Sequence, residues 1–180
     1  MKKLIIWILL SVFFLNASAQ VLIMQKPWET SLSVFYGQNY SSGYDLSATL
    51  NLRFKESSWG VYVDFTRSDE KVIISGEDNN FSINGLYPSL GVSFSFREKL
   101  SPAPFDIFFN GGFAHGSATL KLADGQFVKE NSFGNHLGVS VKYLFTPRFA
   151  LCLRQTLHIL YESPFGNTRT TSSAGLSFTF

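Results

Sequence analysis

The sequence predicts an all-β chain that forms an eight-stranded antiparallel up-and-down transmembrane β-barrel after an N-terminal signal peptide. Three observations predict this fold. Apolar side chains recur at every second position in eight segments of about ten residues, short and long connections between the segments alternate, and the last segment ends on the aromatic Phe180. Alternating segments of this length, separated by turn residues, are the sequence signature of outer-membrane barrels.

Residues 1–19 have the features of a secretory signal peptide. Two lysines precede an apolar run from Leu4 to Leu15, and small residues follow up to Ala19. This run is too short to span a bilayer as a helix, which needs about 20 residues. We expect cleavage after Ala19, which leaves residues 20–180 as one outer-membrane barrel domain.

The charges of the chain give no indication of a nucleic-acid partner. Lys2 and Lys3 account for the whole net charge of +2, since the sequence has 15 basic and 13 acidic side chains. We therefore expect no direct nucleic-acid binding. Cys152 is the single cysteine, which excludes an intramolecular disulfide and a cysteine-based metal site. No cofactor or metal is expected.

The first four predicted strands follow the signal peptide at regular spacing. The first runs from Trp28 to Gly37, the second from Tyr44 to Phe54 and the third from Trp59 to about Ser68. Apolar side chains mark the outward face of the fourth strand: Leu90, Val92, Phe94 and Phe96. No stretch after residue 19 contains eighteen apolar residues, so we expect the chain to cross the membrane with strands.

The last four strands repeat the pattern. Their outward faces carry Phe105, Ile107, Phe109 and Phe113 in the fifth, Leu137 to Phe145 in the sixth, Phe149 to Tyr161 in the seventh, and Ala174, Leu176, Phe178 and Phe180 in the eighth. The connections after strands two, four and six are short, which predicts periplasmic turns. Those after strands three and five are long and polar, about 69–85 and 116–131, and both contain segments able to extend the strands as hairpins.

Aromatic residues cluster at the predicted periplasmic ends of the strands. They are Trp28, Phe54, Trp59, Phe96, Phe105, Tyr143, Phe145, Phe149 and Phe180. Membrane barrels place a girdle of aromatic side chains at each interface. Phe178 and Phe180 are further predicted to act as the assembly signal, recognised by the barrel-insertion machinery.

The inward faces of the strands carry charges of both signs. We expect a luminal charge network formed by Asp45, Arg53, Asp64, Arg97, Asp106, Lys142, Arg154, His158 and Glu162, with Glu29 and His136 on the same faces. An eight-stranded barrel is only wide enough to be filled by side chains, and buried charges are costly unless paired. The network is therefore predicted to plug the lumen; a proton path or transport pore is the functional alternative.

One short motif raises the possibility of catalysis. His115-Gly116-Ser117 resembles the His-x-Ser arrangement of lipid A deacylases, in which the histidine activates the serine as a nucleophile. Glu130 is the sequence-near carboxylate that could orient the histidine. The asparagine that follows the serine in that family is replaced by Ala118. An outer-membrane esterase acting on lipid A is thus the alternative hypothesis.

The C-terminal quarter of the chain carries a family resemblance. From Gly134 to Phe180, a Gly-rich strand, a short turn, a Leu-rich strand with an inward arginine, a polar loop and a Gly-Leu-x-Phe terminal strand resemble the TraO conjugative-transposon proteins of Bacteroidetes. Lys142 differs from the acidic residue expected at its position. The resemblance implies a non-catalytic component of a DNA-transfer apparatus. Other proteins of that apparatus are its implied partners, and the barrel itself is expected to contact outer-membrane lipid and lipopolysaccharide.

Overall fold

The computed structural model describes residues 28–39, 43–54, 57–73, 80–96, 104–121, 127–161, 163 and 167–180. The predicted signal peptide lies outside these residues, as do Arg97 and Glu162. Among the described residues, no helix is long and apolar enough to cross a membrane.

Eight antiparallel strands form one closed barrel in which each strand pairs with its neighbours in sequence and β8 pairs with β1. The strands are β1 (Trp28–Asn39), β2 (Tyr44–Phe54), β3 (Trp59–Ile73), β4 (Asn80–Ser95), β5 (Phe105–Lys121), β6 (Phe127–Leu144), β7 (Phe149–Tyr161) and β8 (Thr168–Thr179). The predicted fold class is confirmed. Closure leaves no open edge around the barrel wall, so the backbone hydrogen bonds are made within the protein.

The strand register fixes the stagger of the barrel. Leu32 on β1 is directly opposite Phe178 on β8. If the paired residues are instead followed from Leu32 through β2 to β7, the path reaches β8 at Thr168. The closed sheet is therefore sheared by the ten residues between Thr168 and Phe178 on that strand. Eight strands with this shear tilt by about 40° and enclose a lumen that side chains fill.

The two faces of the wall differ sharply in chemistry. Along β7, for example, Cys152, Arg154 and His158 are buried, whereas Leu151 and Leu153 are exposed. The buried side chains are mostly small and polar or charged, while many large apolar side chains face outward. A soluble protein rarely exposes so large an apolar surface, so this band is suited to contact lipid.

Four strands extend farther than the sequence predicts. The third strand was expected to end near Ser68, but β3 continues to Ile73, where it is opposite Asn80 of β4. Likewise β5 and β6 continue to Lys121 and Phe127. The long connections predicted for 69–85 and 116–131 are thus largely hairpin, because the alternation of side chains persists through polar sequence.

Two glycines allow β4 and β5 to approach closely. Gly91 and Gly112 are opposite each other in the register. A Cβ atom at Gly112 would lie 2.2 Å from the Leu90 carbonyl oxygen and 2.5 Å from the Gly91 Cα atom. Only glycine fits at this position without moving the backbone.

Candidate functional site

The centre of the lumen is occupied by an ion pair. Arg154 Nη1 donates to Asp64 Oδ1 at 2.7 Å and to Thr49 Oγ1 at 2.8 Å, and Nη2 bonds to Ser47 Oγ. Asp64 also accepts hydrogen bonds from Thr49 and Thr66. The Arg154 guanidinium lies 3.9 Å from the centre of the Phe35 ring. Both charges are therefore paired and hydrogen-bonded, the condition under which burial is tolerated.

A second group of charges lies at the end of the barrel that carries the short turns. Arg53 Nη2 is 2.5 Å from Glu29 Oε2, and its Nη1 donates to Ser95 Oγ at 3.1 Å. Ser95 in turn donates to Asp106 Oδ1 at 2.8 Å. This chain of contacts links β1, β2, β4 and β5 and so spans the lumen near the short-turn end.

A third group lies toward the opposite end. Asp45 accepts a hydrogen bond from Asn39 Nδ2 at 3.3 Å and another from Thr171. Arg169 on β8 forms an ion pair with Glu70 on β3. The sequence prediction missed this pair because Glu70 lies in the predicted connection 69–85 and Arg169 precedes the residues predicted for the eighth strand. The alternation Asp64, Thr66, Ser68, Glu70 was the signal that would have placed Glu70 inside the barrel.

Aromatic and imidazole rings fill the space between the charged groups. Tyr62 Oη lies 2.6 Å from His136 Nδ1, and the His136 and His158 rings are 4.8 Å apart. The ring of Tyr87 is 5.6 Å from that of His158, and the Arg169 guanidinium lies 4.9 Å from the Tyr87 ring centre. Within the described part of the chain, no three His, Cys, Asp or Glu side chains are arranged to hold a metal ion.

The predicted network residues that the structure describes all lie on the luminal face. Asp45, Asp64, Asp106, Lys142, Arg154 and His158 are buried, and Arg53 is half-buried. The structure brings Arg154 to Asp64 directly and links Arg53 to Asp106 through Ser95. Chemically, such an arrangement blocks the lumen, because paired charges and rings occupy it at three levels.

The proposed esterase residues are not brought together. His115 and Ser117 face outward at the long-loop end, where the His115 ring lies 4.8 Å from that of Phe133. Glu130 is buried on the opposite, luminal face of the sheet, at 5% exposure. The expectation that Glu130 orients His115 is therefore wrong, because the side chains of β5 and β6 alternate between the two faces and Glu130 is on the inner one.

An aromatic girdle surrounds the short-turn end. The rings form contacting groups on neighbouring strands, with centroid separations of 4.2 Å for Trp28 and Phe54 and 4.8 Å for Trp59 and Phe94. Phe105, Tyr143, Phe145 and Phe149 continue the ring on β5 to β7. Girdles of this kind sit at the level of the lipid headgroups.

Phe178 and Phe180 complete the girdle beside the β1–β8 seam. Their ring centres are 5.1 Å apart, and Phe178 is opposite both Leu32 and Phe149 in the register. The Phe180 N–H donates to the Thr30 carbonyl oxygen at 2.8 Å. The two aromatic residues therefore lie where the strand that closes the barrel meets β1.

An apolar outer band, an aromatic girdle and a plugged polar lumen within eight closed strands define a small outer-membrane β-barrel protein. The chain belongs to the family described as outer membrane protein beta-barrel domain, which matches residues 7–180. Its place is therefore the bacterial outer membrane. None of the curated protein sequences is a significant match to this chain.

Several solved outer-membrane barrels share the fold. Neisserial surface protein A is 17% identical with a TM-score of 0.60, covering 86% of this chain and 98% of that one. The N-terminal barrel domain of Pseudomonas aeruginosa OprF is 14% identical with a TM-score of 0.61, covering 84% and 97%. Ail of Yersinia pestis, in complex with a heparin analogue, is 14% identical with a TM-score of 0.58, covering 87% and 100%. At these identities the likeness concerns the fold.

Proposed function

We propose that this protein is a non-catalytic interaction barrel of the outer membrane that serves as a component of a conjugative DNA-transfer apparatus of the TraO type. The observation that carries the proposal is the combination of a filled lumen with a sheet that projects beyond the rest of the wall. A barrel that passes no solute acts through the surfaces it presents outside the membrane.

The projecting sheet consists of the long-loop ends of β3, β4, β5 and β6. On one side, the β2–β3 register ends at Tyr44 opposite Asp69, and β3 runs on to Ile73. On the other side, the β6–β7 register ends at Phe133 opposite Tyr161, and β6 runs six residues farther to Phe127. The two middle strands stay paired with each other as far as Ser82 opposite Lys121.

The part of β6 beyond its pairing with β7 is suited to bind another protein. Residues 127–132 have a strand partner on the β5 side and continue past the last paired residue of β7. Free strand edges are templates for addition of a partner's strand. Phe127 and Val128 are exposed at the tip, at 63% and 40%, and supply the apolar contacts that anchor interfaces.

The assignment to a transfer apparatus rests on the resemblance of residues 134–180 to TraO proteins. In that setting, the partners of the projecting edge are other proteins of the apparatus, while lipid and lipopolysaccharide surround the wall. The mature protein begins at Gln20 after removal of the signal peptide.

A mating assay tests this function. Deletion of the gene in a donor strain is expected to lower the transfer frequency, and the wild-type gene is expected to restore it. The double variant Phe127→Ser/Val128→Ser removes the apolar tip of the edge. In the deletion strain it is expected to restore a folded barrel in the outer membrane but not the transfer frequency. Lys121→Ser is the matched control. Lys121 is opposite Phe127, but it lies on β5, a middle strand of the projecting sheet, and not on the β6 edge.

Three outcomes separate the parts of the proposal. An unchanged transfer frequency in the deletion strain would contradict the role in conjugation. Full complementation by the double variant would contradict the role of the β6 edge. A photo-crosslinker at Asn131, which is exposed on that edge, should form a covalent adduct with a transfer protein only in cells that carry the transfer operon.

A further inference from the structure

The lumen contains a small cavity between two buried cations. It lies between the Lys142 and Arg154 side chains, which are only 8% and 5% exposed. Its volume is about 10 Å³, which is room for about one particle of the size of a water molecule.

The charge of Lys142 is not matched by a contacting carboxylate. Arg154 forms its ion pair with Asp64, whereas Lys142 Nζ donates to Ser177 Oγ at 3.1 Å and lies 4.3 Å from the Phe108 ring centre. In the described part of the chain, no carboxylate oxygen lies within 4 Å of Lys142. An ammonium group has three donors, so two remain after the bond to Ser177.

The remaining polar lining supplies further hydrogen-bond donors. Asn51 Oδ1 already accepts from Ser93 Oγ at 3.2 Å, which leaves the Asn51 amide N–H groups as donors. Asn110 and Ser140 also line the cavity. Arg154 Nε is buried without a hydrogen-bond partner and is a further donor. The lining contains no carboxylate.

Asp106 is a candidate for a compensating charge on the protein itself. It is opposite Lys142 in the β5–β6 register, and its Oδ1 accepts a hydrogen bond from Ser95 on the neighbouring strand β4. Asp106 is not part of the cavity lining. It offsets part of the ammonium charge from the neighbouring strand, while the polar lining of the cavity contains donors together with the buried acceptor Asn110 Oδ1.

We propose that this cavity is a binding site for one small monovalent anion, of the size and charge of chloride, held between Lys142 and Arg154. The anion accepts the free hydrogen bonds of Lys142 and Asn51 and supplies a counter-charge inside the barrel. A water molecule would accept the same hydrogen bonds but would bring no negative charge between the two cations, and Lys142 forms no ion pair with a carboxylate among the described residues. Polyatomic anions such as sulfate are too large for the space.

Thermal unfolding of the purified, folded barrel in detergent tests the site. The wild type is expected to unfold at a higher temperature in sodium chloride than in sodium gluconate of equal ionic strength, with a saturable dependence on chloride. Gluconate screens surface charges equally but cannot enter the cavity. Lys142→Met keeps the apolar stem and removes the charge, and it should weaken the apparent chloride affinity about tenfold or more, as expected for loss of a charged hydrogen bond.

Two further variants keep the test decisive. Lys129→Met removes an exposed lysine of the same strand and should leave the chloride effect intact. Ser140→Val fills the cavity while keeping both cations, so it should abolish the chloride effect even where Lys142→Met fails to fold. Crystals of the wild type soaked in bromide should show an anomalous peak between Lys142 and Arg154.

Either of two results would overturn the proposal. One is equal wild-type stability in chloride and gluconate together with no bromide peak in the cavity, which would mean that the space holds water only. The other is a chloride effect that survives both Lys142→Met and Ser140→Val, which would place the anion elsewhere.

Discussion

Arg154 and Asp64 form an ion pair that crosses the lumen from wall to wall. Arg154 is on β7 and Asp64 on β3, four strands away around the eight-stranded barrel, and Nη1 lies 2.7 Å from Oδ1. Both side chains are almost fully buried, at 3% and 0% exposure. The pair therefore joins opposite sides of the wall and blocks the lumen at its centre.

Breaking this pair should destabilise the barrel strongly. We expect Asp64→Asn and Arg154→Met each to lower the free energy of unfolding by about 3–5 kcal/mol, because each leaves one buried charge uncompensated. The double variant should lose less than the sum, since neither charge remains. Denaturant unfolding of the refolded protein in detergent measures the free energies of unfolding of the wild type, the two single variants and the double variant, which together form a double-mutant cycle.

The Glu29–Arg53 pair provides the control for this cycle. Its side chains are more exposed, at 27% and 14%, although the contact is short at 2.5 Å. Because water reaches them, Glu29→Gln should cost no more than about 1 kcal/mol. Additive effects of Asp64→Asn and Arg154→Met would contradict a direct interaction across the lumen.

The paired glycines of β4 and β5 give a second prediction. Gly112→Ala places a methyl group 2.2 Å from the Leu90 carbonyl oxygen, so the backbone must move. We expect a loss of about 1–3 kcal/mol, typical of overpacking. Gly138→Ala is the matched control, because its new methyl group would meet no atom closer than 3.6 Å. Equal unfolding free energies for the two variants would show that the strands do not pack this closely.

Phe180 should matter for assembly of the barrel in the membrane. The Phe180→Asp variant puts a charge in the aromatic girdle beside the seam where β8 closes against β1, and we expect most of the protein to stay unassembled. Phe180→Tyr keeps a ring suited to the interface and should assemble normally. Heat-modifiable gel mobility of outer-membrane fractions measures the folded share, and normal levels of the aspartate variant would count against the role.

His115 and Ser117 should be dispensable for lipid A chemistry. Glu130, the acidic partner proposed for them, is buried on the luminal face, so it cannot orient the outward-facing His115. We expect His115→Ala/Ser117→Ala to leave both the folded barrel and the lipid A acylation pattern unchanged, as surface substitutions usually do. Mass spectrometry of lipid A decides this; loss of an acyl chain that depends on Ser117 would establish an esterase.

The strands within the membrane band could be predicted because one physical rule governs them. A lipid-facing wall with a polar interior imposes strict alternation, and β2 was predicted from Tyr44 to Phe54 with the bounds that the structure has. Beyond the band the signal weakens, because outward positions such as Arg67 and Asp69 are polar and do not mark a lipid-facing surface. The prediction accordingly ended β3 near Ser68 instead of Ile73.

The sequence predicted which site residues face the lumen, but it did not predict which of them contact each other. Alternation alone placed Asp64 and Arg154 inside the barrel, yet their contact depends on the shear, which joins residues 90 positions apart in sequence. The shear is set by the register of all eight strand pairs and by the lengths of their turns. The Glu70–Arg169 pair escaped prediction because both residues lay outside the predicted strands. Glu130 was assigned to His115 because sequence proximity does not reveal which face a residue occupies.

Ion conductance of the purified protein in planar lipid bilayers tests the central claim, that the barrel is plugged and acts through its outer surface. The wild type should show no conductance steps above the lipid background, because the Asp64–Arg154 pair and the rings around it fill the lumen. Asp64→Ala/Arg154→Ala, which empties the centre, should produce small steps. Stable open-channel steps from the wild-type protein would contradict the account.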